Sequence, residues 1–525
     1  MYALQVHSTS CRMKIVTIEQ MRAIEDRSEE AGVSKDTLME NAGLAVARSV
    51  RYHYGPLTGV HILVLLGSGN NGGDGLVAAR HLDTWGARVD VYICRDRRAP
   101  DPKLDVVREQ GIAVTSASDD QDLSNLQNLL SRAHVIMDSI LGTGQSRPIE
   151  GVVKDILQAL TKEQTHRRHP KIVALDVPTG LNADTGAVDP STPHADLTIS
   201  FGYSKRGHYA YPGAEYLGEL EVANIGLPSG LDDGVEIELL AEVWARTRLP
   251  TRPANSHKGT FGRTMVVAGS RNYLGAAYLA ATSATRVGSG LVTLAIPESL
   301  TTAVAAKAIE PTFLPLPESA PGIVSPDAVD LVFESLPAYN SLLVGCGMGQ
   351  EEDTKRFIER LLLSGRTLPP TVVDADGLNT LSQVDDWWTR LADNAILTPH
   401  PGEMGRLTGN SLRNQDRITA ATSAASRWNK TVILKGAYTV IAFPDGRAKV
   451  SPLSNPGLAT AGTGDVLGGA IAGLVSQGLS LADASALGVY LHGLAGERVR
   501  DEFGDTGMVA SDLLPTLPTV IRDLR

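Results

Sequence analysis

Cysteine is scarce in this chain. Cys11, Cys94 and Cys346 are the only three among 525 residues, and their spacing forms neither a CxxC pair nor a zinc-ligand pattern. A disulfide scaffold and a structural zinc site are therefore not expected, and reduced thiols of a cytoplasmic protein are. Positive charge is not in excess either: 48 Lys and Arg face 59 Asp and Glu, a net charge of −11. That removes the broad basic footprint of a nucleic-acid binder. No apolar run approaches the ~20 residues that cross a bilayer, and "MYALQVHSTSCRM" lacks the apolar core of a signal peptide. The expectation is a chain without nucleic-acid or membrane partners, ordered from near Met13. An anionic ligand would have to be held locally, by backbone N–H groups.

Glycine, by contrast, is plentiful. Its 52 residues cluster in loops and follow no fixed period, which points to α/β turns and phosphate-type loops and away from collagen or low complexity. A chain of this length exceeds a single hydrophobic core, so two or more domains are expected. "TIEQMRAIEDRSEEAG" reads as a helix opened by Thr17 and Gln20 at capping-box spacing, and "LMENAGLAVARSVRYHY" as a second helix. Short apolar runs follow at 60–67, 87–94, 133–142, 171–180 and 195–202, mostly separated by helix-like segments, the pattern of a parallel sheet wrapped by crossover helices. Four polar clusters fall where such runs end: "GSGNNGGDG", "DSILGTGQSR", "DVPTGLNADTG" and "GYSKRGHY". Ligands of parallel sheets bind beyond those carboxyl ends.

Between 228 and 256 the pattern lapses into a connecting segment with one short helix around "LLAEVWA". A second, different α/β series then runs from "RTMVVAGS" to "TVILKGAYTVIAFPDG", followed by two small-residue helices. The first begins in "AGTGDVLGGAIAGL", where Gly462, Thr463 and Gly464 place unpaired N–H groups at a helix start, an environment that favours an anion. Asp465 is either a helix cap, worth about 1 kcal/mol, or a base that takes a proton from a hydroxyl attacking a phosphoryl group.

"GTGD" before a small-residue helix resembles the anion hole and base of ribokinase-like kinases. "SHKGTFGRTMVVAGS", "VVDADGLN", "LTPHPGEM", "ILKGAYTVI" and "NPGLATAGTGDVL" together resemble the NAD(P)H-hydrate dehydratase branch of that fold. "LMENAG", "GSGNNGGDG", "DSILGTG" and "DVPTGLNADTG" resemble NAD(P)H-hydrate epimerases. From about Lys14 onward the chain therefore resembles the bifunctional NAD(P)H-hydrate repair family, epimerase first. The resemblance implies two three-layer α/β domains, a Rossmann-like epimerase at 14–227 and a ribokinase-like dehydratase at 257–525. The implied substrates are NADHX and NADPHX. ADP, or ATP in the eukaryotic type, would be the phosphoryl donor, giving AMP and phosphate. Mg2+, K+ and a cytoplasmic homo-oligomer complete the expectation.

Roles carry over motif by motif. In the second domain Asp465 is the expected base, and Gly347 and His400 the expected contacts to the hydrate, with Ala276 or Ala277 beside them. Lys435, Gly436, Ala437, Tyr438, Thr439 and Gly464 would line the nucleotide site, and Glu403 would hold magnesium through water. Asp374 and Asp376 read equally as turn-capping or site residues. In the first domain Asn70, Asn71, Gly72, Gly73 and Asp74 would contact the hydrate, as would Gly142, Thr143, Gly144, Gln145, Ser146, Arg147 and Pro148. Asn71, Asp138 and Thr179 would hold potassium, with threonine standing at a position usually serine. Gln145 stands where an apolar residue is usual. Asp176 is the expected acid/base at C6, and Lys205 is a phosphate contact or a solvated charge. The rival reading is a vitamin or sugar kinase fused to a non-catalytic nucleotide-binding domain.

Overall fold

The computed structural model describes residues 13–144, 147–167, 169–412 and 416–525. The chain divides into two compact units, one ending at Val235 and one beginning at Glu236.

The first unit is built on a seven-stranded sheet. Its order is Ala113–Ser116, Arg88–Ile93, His61–Leu66, Val135–Ser139, Lys171–Leu175, Leu197–Phe201, Glu219–Ala223, all neighbours parallel. Apolar residues alternate between its two faces, as a strand's period of two demands. Ile62, Val64 and Leu66 pack on one side with Val46, Val50, Leu76 and Val107, whereas Leu63 and Leu65 pack on the other with Leu126, Leu130, Ile156 and Leu160. Helices thus cover both faces, and the sheet is the middle of three layers. The chain winds outward in both directions from His61–Leu66, which makes the crevice beside Val135–Ser139 a topological switch point.

The second unit is also α/β. Its sheet runs Thr312–Leu316, Leu291–Pro297, Arg263–Val267, Ser341–Val344, Thr371–Val373, Ala395–Leu397, Thr431–Leu434 with parallel neighbours. Val440–Ala442 and Ala448–Val450 then continue it antiparallel. Ile237–Leu239 pairs with Ala448–Val450, and helix Glu242–Arg248 follows, its Trp244 and Ala245 in the core of the unit. Of the residues 228–256 expected as a linker, 237–239 and 242–248 therefore belong to this sheet and core, and those up to Val235 to the first unit. Short strands of three residues carry too weak a hydrophobic pattern to announce themselves. Helices Leu274–Arg286 and Thr463–Ser476 cross so closely that a Cβ on Gly469 would stand 2.1 Å from the carbonyl oxygen of Ala280. Small residues in "GDVLGGAIAGL" fix where this helix start lies. Among the described residues no helix is long and apolar enough to cross a membrane.

Candidate active sites

In the second unit, helix Thr463–Ser476 aims its first turn at the carboxyl ends of Ser341–Val344 and Thr371–Val373. Its cap is Gly462, at φ +92°, so Asp465 sits inside the first turn and is not the N-cap. Gly462 suits this left-handed position because it has no Cβ. The carboxyl group of Asp465 is pushed up to about 7 by burial and by the charge of Asp374, while the Cys346 thiol donates to it. The thiol itself is driven well above its usual range by burial and by the two aspartates.

Asp374 is fully in the site. It ends the strand Thr371–Val373, is buried, and receives the Lys435 ammonium at 2.7 Å. Glu403 lies 4.0 Å from the same ammonium. Burial lowers the Lys435 pKa, but Asp374 and Glu403 more than offset it and the net shift is upward. Glu403 is itself raised to about 7, by burial first and with Lys435 opposing. A Cβ on Gly464 would stand 3.2 Å from Lys435 Nζ, so the ammonium reaches the helix start. Cys346, Asp374 and Asp465 come within 4.8 Å of one another, a spacing a metal ion could use. Lys435 already supplies the positive charge there.

The remaining expected residues frame this cluster. Gly347 and Ala276 are neighbours: a Cβ on Gly347 would stand 2.6 Å from that of Ala276. His400 caps helix Pro401–Thr408, its Nδ1 accepting from Gly402 N at 2.9 Å and its ring half exposed. Burial and Lys435 depress its pKa, which favours the neutral ring. Gly436 to Thr439 form a loop that Arg417 ties to the strand before it, donating to Leu434 O at 3.1 Å, Lys435 O at 2.9 Å and, within the loop, Ala437 O. Thr439 Oγ1 closes the loop on Gly436 O at 2.8 Å. Arg417 stands in no motif that marks it in the sequence, and the ion pair with Lys435 puts Asp374 in the site and not in a turn cap alone.

In the first unit, helix Asn70–Thr84 opens at the switch point with Gly69 as its cap. The loop lacks the lysine of a P-loop, and the sequence reading that its spacing is not G-x-G-x-x-G is wrong: Gly67, Gly69 and Gly72 fall at that spacing directly after a strand. Close approach explains Gly67, where a Cβ would lie 1.7 Å from Ile140 O. Asp138 is fully buried and accepts from Thr179 Oγ1 at 2.6 Å and Thr179 N at 2.8 Å. Burial raises its pKa against those bonds. Asn71 is buried, neither its amide oxygen nor its amide nitrogen is hydrogen-bonded among the described residues, and Gly142 lies against it. Gly144, Arg147 and Pro148 are exposed on the loop beyond, and Gln145 and Ser146 lie outside the described residues.

Asp176 follows strand Lys171–Leu175 in a left-handed backbone, φ +64°. A non-glycine residue there is uncommon and strained. Its Oδ1 receives Phe201 N at 3.0 Å and the ammonium of Lys205, which also donates to Ser200 Oγ at 3.0 Å and Phe201 O at 3.1 Å. Lys205 is completely buried, so the solvated-charge alternative is wrong for it. Asp74 faces the same cleft, its pKa well above normal through burial and the Asp176 charge. His208 beneath is depressed to about 3 by burial and Lys205, hence neutral.

Two protein-family models match the chain, one within each unit. A protein-family model described as NAD(P)H-hydrate dehydratase matches residues 264–519, and one described as YjeF-related protein N-terminus matches 35–207. The bifunctional NAD(P)H-hydrate repair enzyme Nnr of Moorella thermoacetica is 40% identical over 98% of this chain and 97% of its own. The protein of that name in Thermofilum pendens is 38% identical over the same shares. The chain belongs to the bifunctional NAD(P)H-hydrate repair enzyme family. Among solved structures, an ADP/ATP-dependent NAD(P)H-hydrate dehydratase from Bacillus subtilis, co-crystallised with ATP/Mg2+, is 31% identical, with TM-score 0.45. The match covers 55% of this chain and 98% of that one.

Within this repair-family member, each of the two matched regions holds one of the carboxylates: Asp176 in the first, Asp465 in the second. The α/β class expected from the sequence holds in both units.

Proposed function

We propose that the chain repairs hydrated NADH and NADPH at two separate stations, interconverting the R and S hydrates at Asp176 and dehydrating the S form at Asp465 with ADP. The observation that carries the second half is a carboxyl group tuned to about 7 beside a helix start. A general base works best near the operating pH, and unpaired N–H groups suit a transferring phosphoryl group. Asp465 takes the proton of the C6 hydroxyl as its oxygen attacks the β-phosphorus of ADP, and AMP leaves. Phosphate is a far better leaving group than hydroxide. The ring nitrogen lone pair then expels it from C6, and loss of a C5 proton restores the dihydronicotinamide. Lys435, Gly464 and the loop Gly436–Thr439 hold the nucleotide, and His400, Gly347 and Ala276 the hydrate. Glu403 and Asp374 offer the hard oxygens that Mg2+ prefers, so magnesium arriving with the nucleotide would neutralise phosphate charge there.

At the first station Asp176 gives and takes a proton at the C6 hydroxyl as the bond to oxygen or ring nitrogen opens and recloses. Lys205 holds the carboxylate in place from below. Asn71 Oδ1, Asp138 and Thr179 suit a potassium ion, since a buried amide oxygen without a donor is what a cation would satisfy. Bound there, potassium would offset charge and order the loops at 70–74 and 142–148. The reading also places the protein in the cytoplasm.

Racemic hydrate mixed with the protein, potassium, magnesium and either nucleotide tests both halves. Recovery of reduced-cofactor absorbance with free phosphate is expected, faster with ADP than ATP. A stable phosphorylated product would favour the kinase reading instead.

A further inference from the structure

We propose that the first unit selects NADPHX over NADHX by receiving the ribose 2′-phosphate on the arginines that follow strand Arg88–Ile93, namely Arg95 and Arg98 positioned by Arg97. The proposal rests on reading this unit as the epimerase.

The sheet order of the unit is that of a doubly wound dinucleotide fold, and the glycines at 67, 69 and 72 stand between its first strand and first helix. In such folds the dinucleotide crosses the switch point with its pyrophosphate on the helix start. The end of the second strand, about 20 residues past the glycines, meets the adenosine ribose. An acidic residue there suits a free 2′-hydroxyl, and an arginine suits a 2′-phosphate. Here the second strand ends at Ile93 and runs into Cys94-Arg95-Asp96-Arg97-Arg98.

Arg97 ties that segment to the glycine loop. Its Nη1 donates to Gly67 O at 2.5 Å and Gly69 O at 3.3 Å, and its Nε pairs with Asp101 at 2.5 Å. A Cβ on Gly72 would stand 2.4 Å from the same guanidinium. With Arg97 committed, Arg95 and Arg98 remain exposed, and neither makes an ion pair or hydrogen bond among the described residues. Asp96 is the one carboxylate between them, and the segment stays net positive. Asp176 follows a strand three positions across the sheet, about 14 Å away by strand spacing. A dinucleotide laid over the switch point would place its hydrated ring at Asp176 and its adenosine at the arginines.

Binding of adenosine 2′,5′-bisphosphate and of AMP to the full chain, in wild type and in the Arg95→Ser/Arg98→Ser variant, tests this without turnover. Wild type is expected to bind the bisphosphate about tenfold or more tighter than AMP, a modest yield for two charge-assisted contacts. The variant should lose most of that difference, and its KM ratio of NADPHX to NADHX in epimerisation should rise by a similar factor. Relative binding of the two probes that is the same in wild type and variant would overturn the proposal. A wild type that prefers the bisphosphate yet epimerises neither hydrate would leave the phosphate site standing and sink the epimerase reading.

Discussion

Replacing Asp465 by Asn separates a base from a structural residue by the sign of two effects. Its carboxyl group ionises at about 7 in the folded chain against 3.8 ordinarily. Each pKa unit is 1.36 kcal/mol, so keeping it ionised when folded costs roughly 4 kcal/mol. The favourable position near the helix start, about 0.3–1 kcal/mol, is part of the same balance. Because the folded pKa is raised, the native state binds more protons than the unfolded one between these values. Stability therefore falls as pH rises from about 4 to about 7 and is flat above. Asn carries no charge to desolvate, so the variant should be more stable than wild type by about 2–4 kcal/mol near pH 8 and equal to it near pH 4. Turnover of the S hydrate should fall about 10²–10⁴-fold with ADP affinity retained. In wild type, kcat/KM should climb about tenfold per pH unit below 7 and level off above, while Asn removes the slope. Glu403 titrates in the same window, so the wild-type midpoint belongs to the coupled group. Thermal melts that follow the transition shifted by ADP, paired with S-hydrate turnover, measure both. Near-normal turnover, or a variant no more stable than wild type near pH 8, refutes the assignment.

Asp176→Asn should abolish interconversion of the hydrates while the S form is still dehydrated, so a racemate is repaired only in its S half; chiral separation of the residual hydrate checks it. Lys205→Met should destabilise the first unit by about 3–5 kcal/mol, because it strands a carboxylate beside a buried ammonium site. Combining it with Asp176→Asn should restore most of that in chemical denaturation, and additive losses would deny the pair its role. Asp138→Ala should weaken potassium-dependent epimerisation, read as activity against potassium concentration in sodium-free buffer. Epimerisation indifferent to potassium in wild type would remove the ion from the site.

The architecture was legible wherever apolar runs were long enough to be read. The runs at 60–67, 87–94 and 171–180 each contain a strand of the first sheet, because a doubly covered strand is apolar on both faces. Ile237–Leu239 was not legible, since three residues carry no period. At the sites, residues in glycine-rich motifs could be picked out: Asp465, Asp176, Asn71 and Lys435 all stand in them. Lys205 could not be resolved from sequence, because a lone lysine gives no sign of whether its ammonium is in water or beneath a carboxylate. Arg417 was invisible for a different reason. It begins a helix, Arg417–Trp428, far in sequence from the loop whose carbonyls it holds, and only the fold brings the two together.

The placement of lysine distinguishes the two sites. At the first, the fully buried Lys205 is bonded to Asp176, the carboxylate proposed to react, which therefore carries its own countercharge into the cleft. At the second, Lys435 is bonded to a neighbour, Asp374, and Asp465 feels the ammonium only at longer range, with the charge of Asp374 opposing its ionisation. A carboxylate that must exchange a proton in both directions benefits from a fixed partner that holds its geometry through each transfer. A carboxylate that must take a proton once, as an oxygen attacks phosphorus, benefits from an ionisation poised near neutrality. Moving the lysine's bond from one aspartate to the other would make a weaker base of Asp465, and the fold prevents it by anchoring Asp374 at the end of a buried strand.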